Sequence, residues 1–214
     1  MKFFTTIIML LSLSACGVAQ KAQYSALEKI GVHKRDILVD RIEKTTEAQE
    51  QTKQQVQSAY QELASLVVVD DQGLEKNYKT MASAVKKSEA KAEELNKHIE
   101  SVDRVANDLF DEWQLELEQY QSASLRNKSQ ANLTSTKKRY SGIYRKMRES
   151  SDRIEPVLQV LQDNTLYLKH NLNARAVSGL SGEVLRIEDK VKVLISQMEA
   201  SINESKRFIG TMQN

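Results

Sequence analysis

The stretch that decides the fold runs from Tyr78 to Tyr120 and reads YKTMASAVKKSEAKAEELNKHIESVDRVANDLFDEWQLELEQY. Mostly apolar residues recur along it in alternating steps of three and four, which is typical of the buried seam of a coiled-coil-type helix. No Pro or Gly interrupts it, so we expect one helix of roughly 65 Å at about 1.5 Å per residue. The predicted seam comprises Tyr78, Met81, Val85, Ser88, Ala92, Leu95, Ile99, Val102, Ala106, Leu109, Trp113, Glu116 and Tyr120.

The composition favours an all-helical protein. The 214 residues include one Pro and seven Gly, and 28% of them are charged. Aromatic residues make up only 6%, which suits narrow seams between long helices better than a thick globular core. The formal net charge of +2 gives no support to nucleic-acid binding, which needs a strongly basic surface.

The amino terminus has the organisation of a bacterial export signal. Lys2 precedes an apolar run over residues 3–11 that is too short to be an ordinary membrane span. The residues Leu13-Ser14-Ala15-Cys16 then resemble the lipobox of bacterial lipoproteins. This resemblance implies cleavage before Cys16 and about three acyl chains on Cys16, which hold a protein on a membrane permanently. The alternative is an ordinary signal peptide with a coincidental Cys.

The anchored chain is expected to face the periplasm. Cys16 is the only Cys, so an intrachain disulfide is excluded. In the lipoprotein family an Asp after the Cys marks inner-membrane retention, and Gly17 in its place favours the outer membrane. We interpret residues 1–15 as a signal peptide, 16–23 as a lipidated tether and 24–214 as one helical domain.

Four long helices are expected in the mature chain, over residues 24–69, 74–121, 128–172 and 183–212. The predicted buried stripe of the first helix includes Leu38, Ile42 and Gln49, that of the third includes Thr165, and that of the fourth includes Val184. The middle of the first, between Thr45 and Gln55, is polar and predicts a weak seam. Pro156 should kink the third helix, because Pro removes a backbone hydrogen bond and clashes with the preceding turn. The apolar stripe keeps its register across Pro156, which favours one kinked helix over two separate ones. The breaker-rich residues 171–182 predict a connection.

Short connections make neighbouring helices antiparallel. The sequence therefore predicts an elongated antiparallel helical bundle of coiled-coil type with about four long helices. A three-helix bundle with a partly detached fourth helix is the alternative. Acidic residues over 108–118 and basic residues over 126–148 are expected to pair between the second and third helices, with residue 111 beside 138 and 112 beside 137. A basic partner-binding face is the alternative interpretation of the second group.

The sequence contains no constellation typical of catalysis. His33, His98 and His170 fall near the base, the middle and the far tip of the predicted bundle, too far apart to share a metal. No phosphate-binding Gly-rich loop and no nucleophile elbow occur. We therefore expect no enzyme activity, no cofactor, no metal and no nucleic-acid partner.

The far end of the predicted bundle collects polar groups in two of its connections. Such connections are where binding groups usually lie, although last-turn bases can also serve only to complement the helix dipole. The candidate partner-binding tip comprises Asp70, Asp71, Lys169, His170, Asn171, Asn173 and Arg175. The opposite end, the base, should sit on the membrane because bases outnumber acids there, among them Lys21, Lys29, Lys34, Arg35, Arg126, Lys128, Lys206 and Arg207.

Several segments resemble a known family of bacterial proteins, the domain-of-unknown-function family 2959. They are Tyr24–Arg41, Leu109–Trp113, Ala123–Arg126 and Leu168–Arg175. The resemblance covers nearly the whole mature chain. It implies an α-helical envelope protein and implies no activity.

These observations favour a lipid-anchored helical envelope protein with a structural or adaptor role. Its partners would be the membrane, through the acyl chains on Cys16, and another envelope protein or the cell wall. The alternative is a periplasmic sensor or inhibitor module that binds a soluble protein.

Overall fold

The computed structural model describes residues 33–67 and 73–213. They form helices α1 (Lys34–Leu66), α2 (Leu74–Glu116), α3 (Ala123–Asp152), α4 (Ile154–His170), α5 (Ala174–Gly179) and α6 (Ser181–Gln213), with a 3₁₀ turn over Leu117–Gln119. The predicted signal peptide, Cys16, the tether, the first turns of the first predicted helix, Asp70 and Asp71 lie outside the described residues.

The helices form an antiparallel bundle of four rods, which confirms the predicted fold class. α1 packs on α2 and α6, and α3 packs on the same two helices from the other side. α4 continues the line of α3 beside α2, and α5 precedes α6 in the fourth rod. The fourth rod therefore packs against its neighbours rather than standing apart. The longest helix, α2, has 43 residues, which gives the bundle a length of roughly 65 Å.

The buried face of α2 is wider than the predicted seam. The seam residues between Met81 and Leu109 are buried, except for half-buried Ala92. Ala84, Val105 and Phe110 are buried as well. The reason is that α2 contacts α1, α3 and α4, and a helix in a bundle needs a broader apolar stripe than one in a two-stranded coiled coil.

The predicted seam is wrong at its carboxyl end, where Glu116 and Tyr120 are exposed. α2 ends at Glu116, and the chain tightens into a 3₁₀ turn in which Leu117 is buried instead. A 3₁₀ turn has three residues per turn rather than 3.6, so the heptad count no longer identifies the buried side.

The third rod begins earlier than predicted and is divided. Ser122 caps α3, because its Oγ accepts a hydrogen bond from the backbone N–H of Leu125 at 3.4 Å. The rod then breaks at Arg153, between α3 and α4. Pro156 lacks the N–H that would bond the carbonyl of Asp152, so the helical ladder is interrupted there. The prediction of one kinked helix was wrong in this respect, although the break lies where the kink was expected.

The predicted connection over residues 171–182 is largely helical. Asn173 Oδ1 accepts a hydrogen bond from the backbone N–H of Ala176 at 3.0 Å and so caps α5. Val177 and Leu180 are buried, and their burial stabilises the short helix against the bundle. Leu180 keeps right-handed helical dihedrals, with φ −84° and ψ −8°, so α6 follows with almost no interruption.

The charge pairing predicted between the second and third helices is wrong. Among the described residues, Glu112 pairs with Lys34 of α1, with Nζ and Oε1 2.8 Å apart. Lys137, the predicted partner of Glu112, lies over the ring of Phe110 at 5.6 Å from its centroid. Aromatic side chains fill the space between α2 and α3, which leaves Asp111 and Lys138 exposed.

One layer in the middle of the core is polar, as the first helix predicted. Gln49 is fully buried, and its Nε2 donates hydrogen bonds to Ser150 Oγ at 3.0 Å and to Ser201 Oγ at 2.9 Å. Its Oε1 has no hydrogen-bond partner among the described residues. Nearby, Thr52 and Ser88 are buried and bond to backbone carbonyls within and between α1 and α2. This central layer links α1, α3 and α6.

Candidate functional site

The described part of the candidate tip lies where α4 ends and α5 begins. Gln162 Nε2 donates a hydrogen bond to Glu89 Oε1 at 2.8 Å, which places the carboxyl-terminal half of α4 beside the amino-terminal half of α2. Lys169, His170 and Asn171 therefore lie at the end of the bundle where α2 begins. The position of Asp70 and Asp71 beside them stays a prediction.

Two asparagines shape the backbone at this end. Asn171 Nδ2 donates a hydrogen bond to the carbonyl oxygen of Tyr167 at 3.0 Å, in the last turn of α4. Asn173 caps α5, as described above. Both amides thus hold the connection in place, so the side chains most available to a partner are the neighbouring bases.

The three bases predicted at the tip are exposed. Lys169 and His170 stand in the last turn of α4 and Arg175 in the first turn of α5. The carbonyl groups at the end of α4 carry partial negative charge, which favours cations there. Lys169 and Arg175 therefore present two exposed positive charges at this end of the bundle.

Sequence analysis missed three exposed apolar side chains near the tip. Leu166 and Tyr167 of α4 are 61% and 46% exposed, and Leu185 of α6 is 66% exposed. Leu166 and Leu185 each follow a residue of the predicted stripe, Thr165 and Val184, and therefore stand one step off the buried face. Their position off the stripe is the one signal in the sequence, but it indicates an exposed residue only where no neighbouring helix covers that side.

The base of the bundle carries a second group of exposed apolar side chains. Leu115, Tyr120 and Leu125 are 64%, 39% and 55% exposed, and they lie in the last turn of α2, the connection and the first turn of α3, respectively. We call residues 115–125 the base loop. Among the described large apolar residues that are exposed, only Val193 lies away from the two ends.

Grooves indent the described part of the bundle at its base and along its sides. A cleft of about 610 Å³ at the base is lined by the start of α1 and the end of α2, including Lys34, Glu112 and Trp113. A smaller groove of about 330 Å³ between α4 and α6 is mainly apolar and includes Pro156 and Val193.

No group of three His, Cys, Asp or Glu side chains within 33–67 and 73–213 could hold a metal ion. Within those ranges, no helix combines the length and the apolar character of a membrane span.

Comparison with known proteins identifies a family. The family described as "Protein of unknown function (DUF2959)" matches residues 23–212. The chain belongs to this family. Membership of DUF2959 confirms the family resemblance found in the sequence, and the match includes every described helix except the last residue of α6. No curated protein and no solved structure matches the chain.

Proposed function

We propose that this DUF2959 protein is a lipid-anchored helical adaptor of the bacterial envelope. In this proposal Cys16 holds the base at a membrane, and the tip binds another envelope protein or the cell wall on the periplasmic side. The observation that carries the proposal is the distribution of exposed apolar side chains. They collect at the two ends of the rod, whereas its sides are mostly polar.

The tip offers a mixed surface suited to a protein partner. Leu166, Tyr167 and Leu185 supply apolar contact area, and Lys169 and Arg175 supply cations. Aromatic residues and Arg are enriched in protein–protein interfaces relative to the rest of the surface, whereas Lys is depleted, so Tyr167 and Arg175 are the side chains best suited to the centre of such a contact. A rod of roughly 65 Å would present this surface well away from the membrane that holds the base.

The anchor rests on Leu13-Ser14-Ala15-Cys16. We expect Cys16→Ser to abolish metabolic labelling with palmitate and to leave the precursor uncleaved by the lipoprotein peptidase. Ser14→Ala is the matched control, because it keeps a small residue in the lipobox and should be labelled like the wild type. Unchanged labelling of Cys16→Ser would overturn the anchor.

The tip is tested by site-specific photo-crosslinking in intact cells. We expect a crosslinker at Tyr167 to capture an envelope protein or peptidoglycan. A crosslinker at Lys97 should not, because this exposed residue lies on the side of the rod. Capture at Lys97 alone would replace the tip by lateral association of the helices. Capture at Tyr167 of a soluble periplasmic protein would favour the sensor or inhibitor module over the adaptor.

A further inference from the structure

We infer that the base loop makes a second, apolar contact with the same phospholipid surface that holds Cys16; this inference rests on the lipid anchoring proposed above. Leu115 lies in the last turn of α2, Tyr120 in the connection and Leu125 in the first turn of α3. All three side chains project into solvent at one end of the bundle, although apolar side chains of this size are usually buried.

The base loop lies at the tethered end of the molecule. Lys34 Nζ is 2.8 Å from Glu112 Oε1, so the start of α1 adjoins the last turns of α2. The segment between Cys16 and His33 can span at most roughly 60 Å when fully extended. The tip lies roughly 65 Å further along the bundle. The base is therefore the end that an acylated Cys16 keeps near lipid.

The contact is apolar rather than electrostatic. Around the base loop, Glu116 and Glu118 balance Arg126 and Lys128 in charge. Two of the bases predicted to favour the membrane are paired with acids, Lys34 with Glu112 and Arg207 with Glu204. Leucine side chains beside a tyrosine suit the boundary between headgroups and acyl chains, where an aromatic ring with a polar tip is favoured.

A lipid surface fits this loop better than a second copy of the chain. A stable protein–protein interface of standard size uses roughly 20–30 residues on each side. The base loop offers three exposed apolar side chains around one turn. A bilayer surface demands no matching shape, and the acyl chains on Cys16 already hold it close, so a few apolar side chains suffice.

The test uses the full mature lipoprotein reconstituted into vesicles of phosphatidylethanolamine and phosphatidylglycerol. Leu125→Cys supplies the single free thiol when Cys16 is acylated, and an environment-sensitive fluorophore is attached to it. Leu166→Cys is the matched control, since Leu166 is similarly exposed, at 61% against 55%, but lies at the tip. We expect a blue shift and quenching by doxyl-labelled lipids at position 125 and neither at position 166. The effect should persist at high salt.

The outcomes distinguish the contact of the base loop from the acyl anchor on Cys16. Vesicle flotation of the labelled protein without quenching at position 125 overturns the second contact and leaves the anchor intact. Equal quenching at positions 125 and 166 also overturns it, because the protein would then lie flat on the lipid. Quenching at position 125 that disappears at high salt overturns the apolar contact. Failure of the protein to float with vesicles, with dye attached to Cys16, overturns both proposals.

Discussion

Two regions of the core, the basal third around Tyr140 and the central layer around Gln49, both involve α3 and α6 but have opposite chemistry. In the basal third, Tyr140 packs against Phe110, Tyr144 and Phe208, with ring centroids 5.4, 5.9 and 6.5 Å apart. In the central layer, Gln49 instead joins Ser150 and Ser201 by hydrogen bonds of 3.0 and 2.9 Å.

The two regions contribute to the fold in different ways, one to its stability and one to the register of its helices. Burial of aromatic rings removes much apolar surface from water and supplies free energy of folding. A buried hydrogen bond contributes little net free energy, but mispairing leaves polar groups buried without partners. Sliding of α1 against α3 and α6 would therefore break the hydrogen bonds of the central layer and cost free energy. Apolar layers would tolerate such sliding. We expect the basal third to determine stability and the central layer to determine register.

The largest effect is expected in the basal third. Phe110→Ala leaves a cavity beside Tyr140 and should lower the free energy of unfolding by about 3–5 kcal/mol. Urea unfolding followed by circular dichroism measures this change. Leu115→Ala is the control on the same helix, and because Leu115 is 64% exposed it should change stability by no more than about 0.5 kcal/mol. Equal losses in the two variants would show that the aromatic cluster is not part of the stabilising core.

The stability of the central layer should depend on the volume of the side chain at position 49 as well as on its hydrogen bonds. Gln49→Ala removes two hydrogen bonds and leaves a cavity, so we expect a loss of about 2–3 kcal/mol. Gln49→Met keeps most of the volume and removes the buried amide whose Oε1 has no partner among the described residues. Its stability should stay within about 1 kcal/mol of the wild type.

The register of α1 against α3 is measured on the same two variants. A spin-label pair, one label on α1 and one on α3, reports the distance between the helices. We expect Gln49→Met to broaden the distribution of distances although its stability is nearly unchanged. A distribution as narrow as that of the wild type would contradict the assignment of register to the central layer.

Part of this difference could be predicted from the sequence, because the spacing of apolar residues along a helix indicates which face is buried. The stripe through Leu38, Ile42 and Gln49 predicted which face of α1 is buried, and the polar middle of the first helix predicted the central layer. Heptad counting failed where helical geometry changed. It carried the seam on to Tyr120, beyond the end of α2, and it missed Phe110, which is buried because α2 has three neighbours.

Local signals placed boundaries only approximately. Pro156 predicted an interruption in the preceding turn, and the break at Arg153 lies there, because Pro156 cannot donate a hydrogen bond to the carbonyl of Asp152. The breaker-rich residues 171–182 were predicted to form a connection, so α5 was missed, although the side chain of Asn173 caps it. The exposed apolar residues at the two ends of the bundle could not be located from the sequence. A residue off the stripe is recognised as surface only when the neighbours of its helix are known.

The smallest effect is expected for a single hydrogen bond within the mainly apolar basal third. Tyr140 is buried, and its hydroxyl donates a hydrogen bond to Asp103 Oδ1 at 3.0 Å. Tyr140→Phe keeps the ring contacts and should cost about 1–2 kcal/mol at neutral pH. Tyr167→Phe is the control at an exposed position and should be nearly neutral.

The alkaline range distinguishes this hydrogen bond from packing. Burial, together with the charge of Asp103 and the hydrogen bond to it, raises the pKa of the Tyr140 phenol well above its ordinary value. Below the unfolded-state pKa of about 10, both states keep the proton and the full stability is present. At higher pH the unfolded phenol ionises while the folded one stays protonated, so stability falls as pH rises. Urea unfolding between neutral and alkaline pH should show a shallower loss in Tyr140→Phe than in the wild type or Tyr167→Phe. Parallel pH profiles for all three proteins would mean that the ionisation of Tyr140 does not oppose folding. The stability of the basal third would then depend on apolar packing alone, in contrast to the central layer.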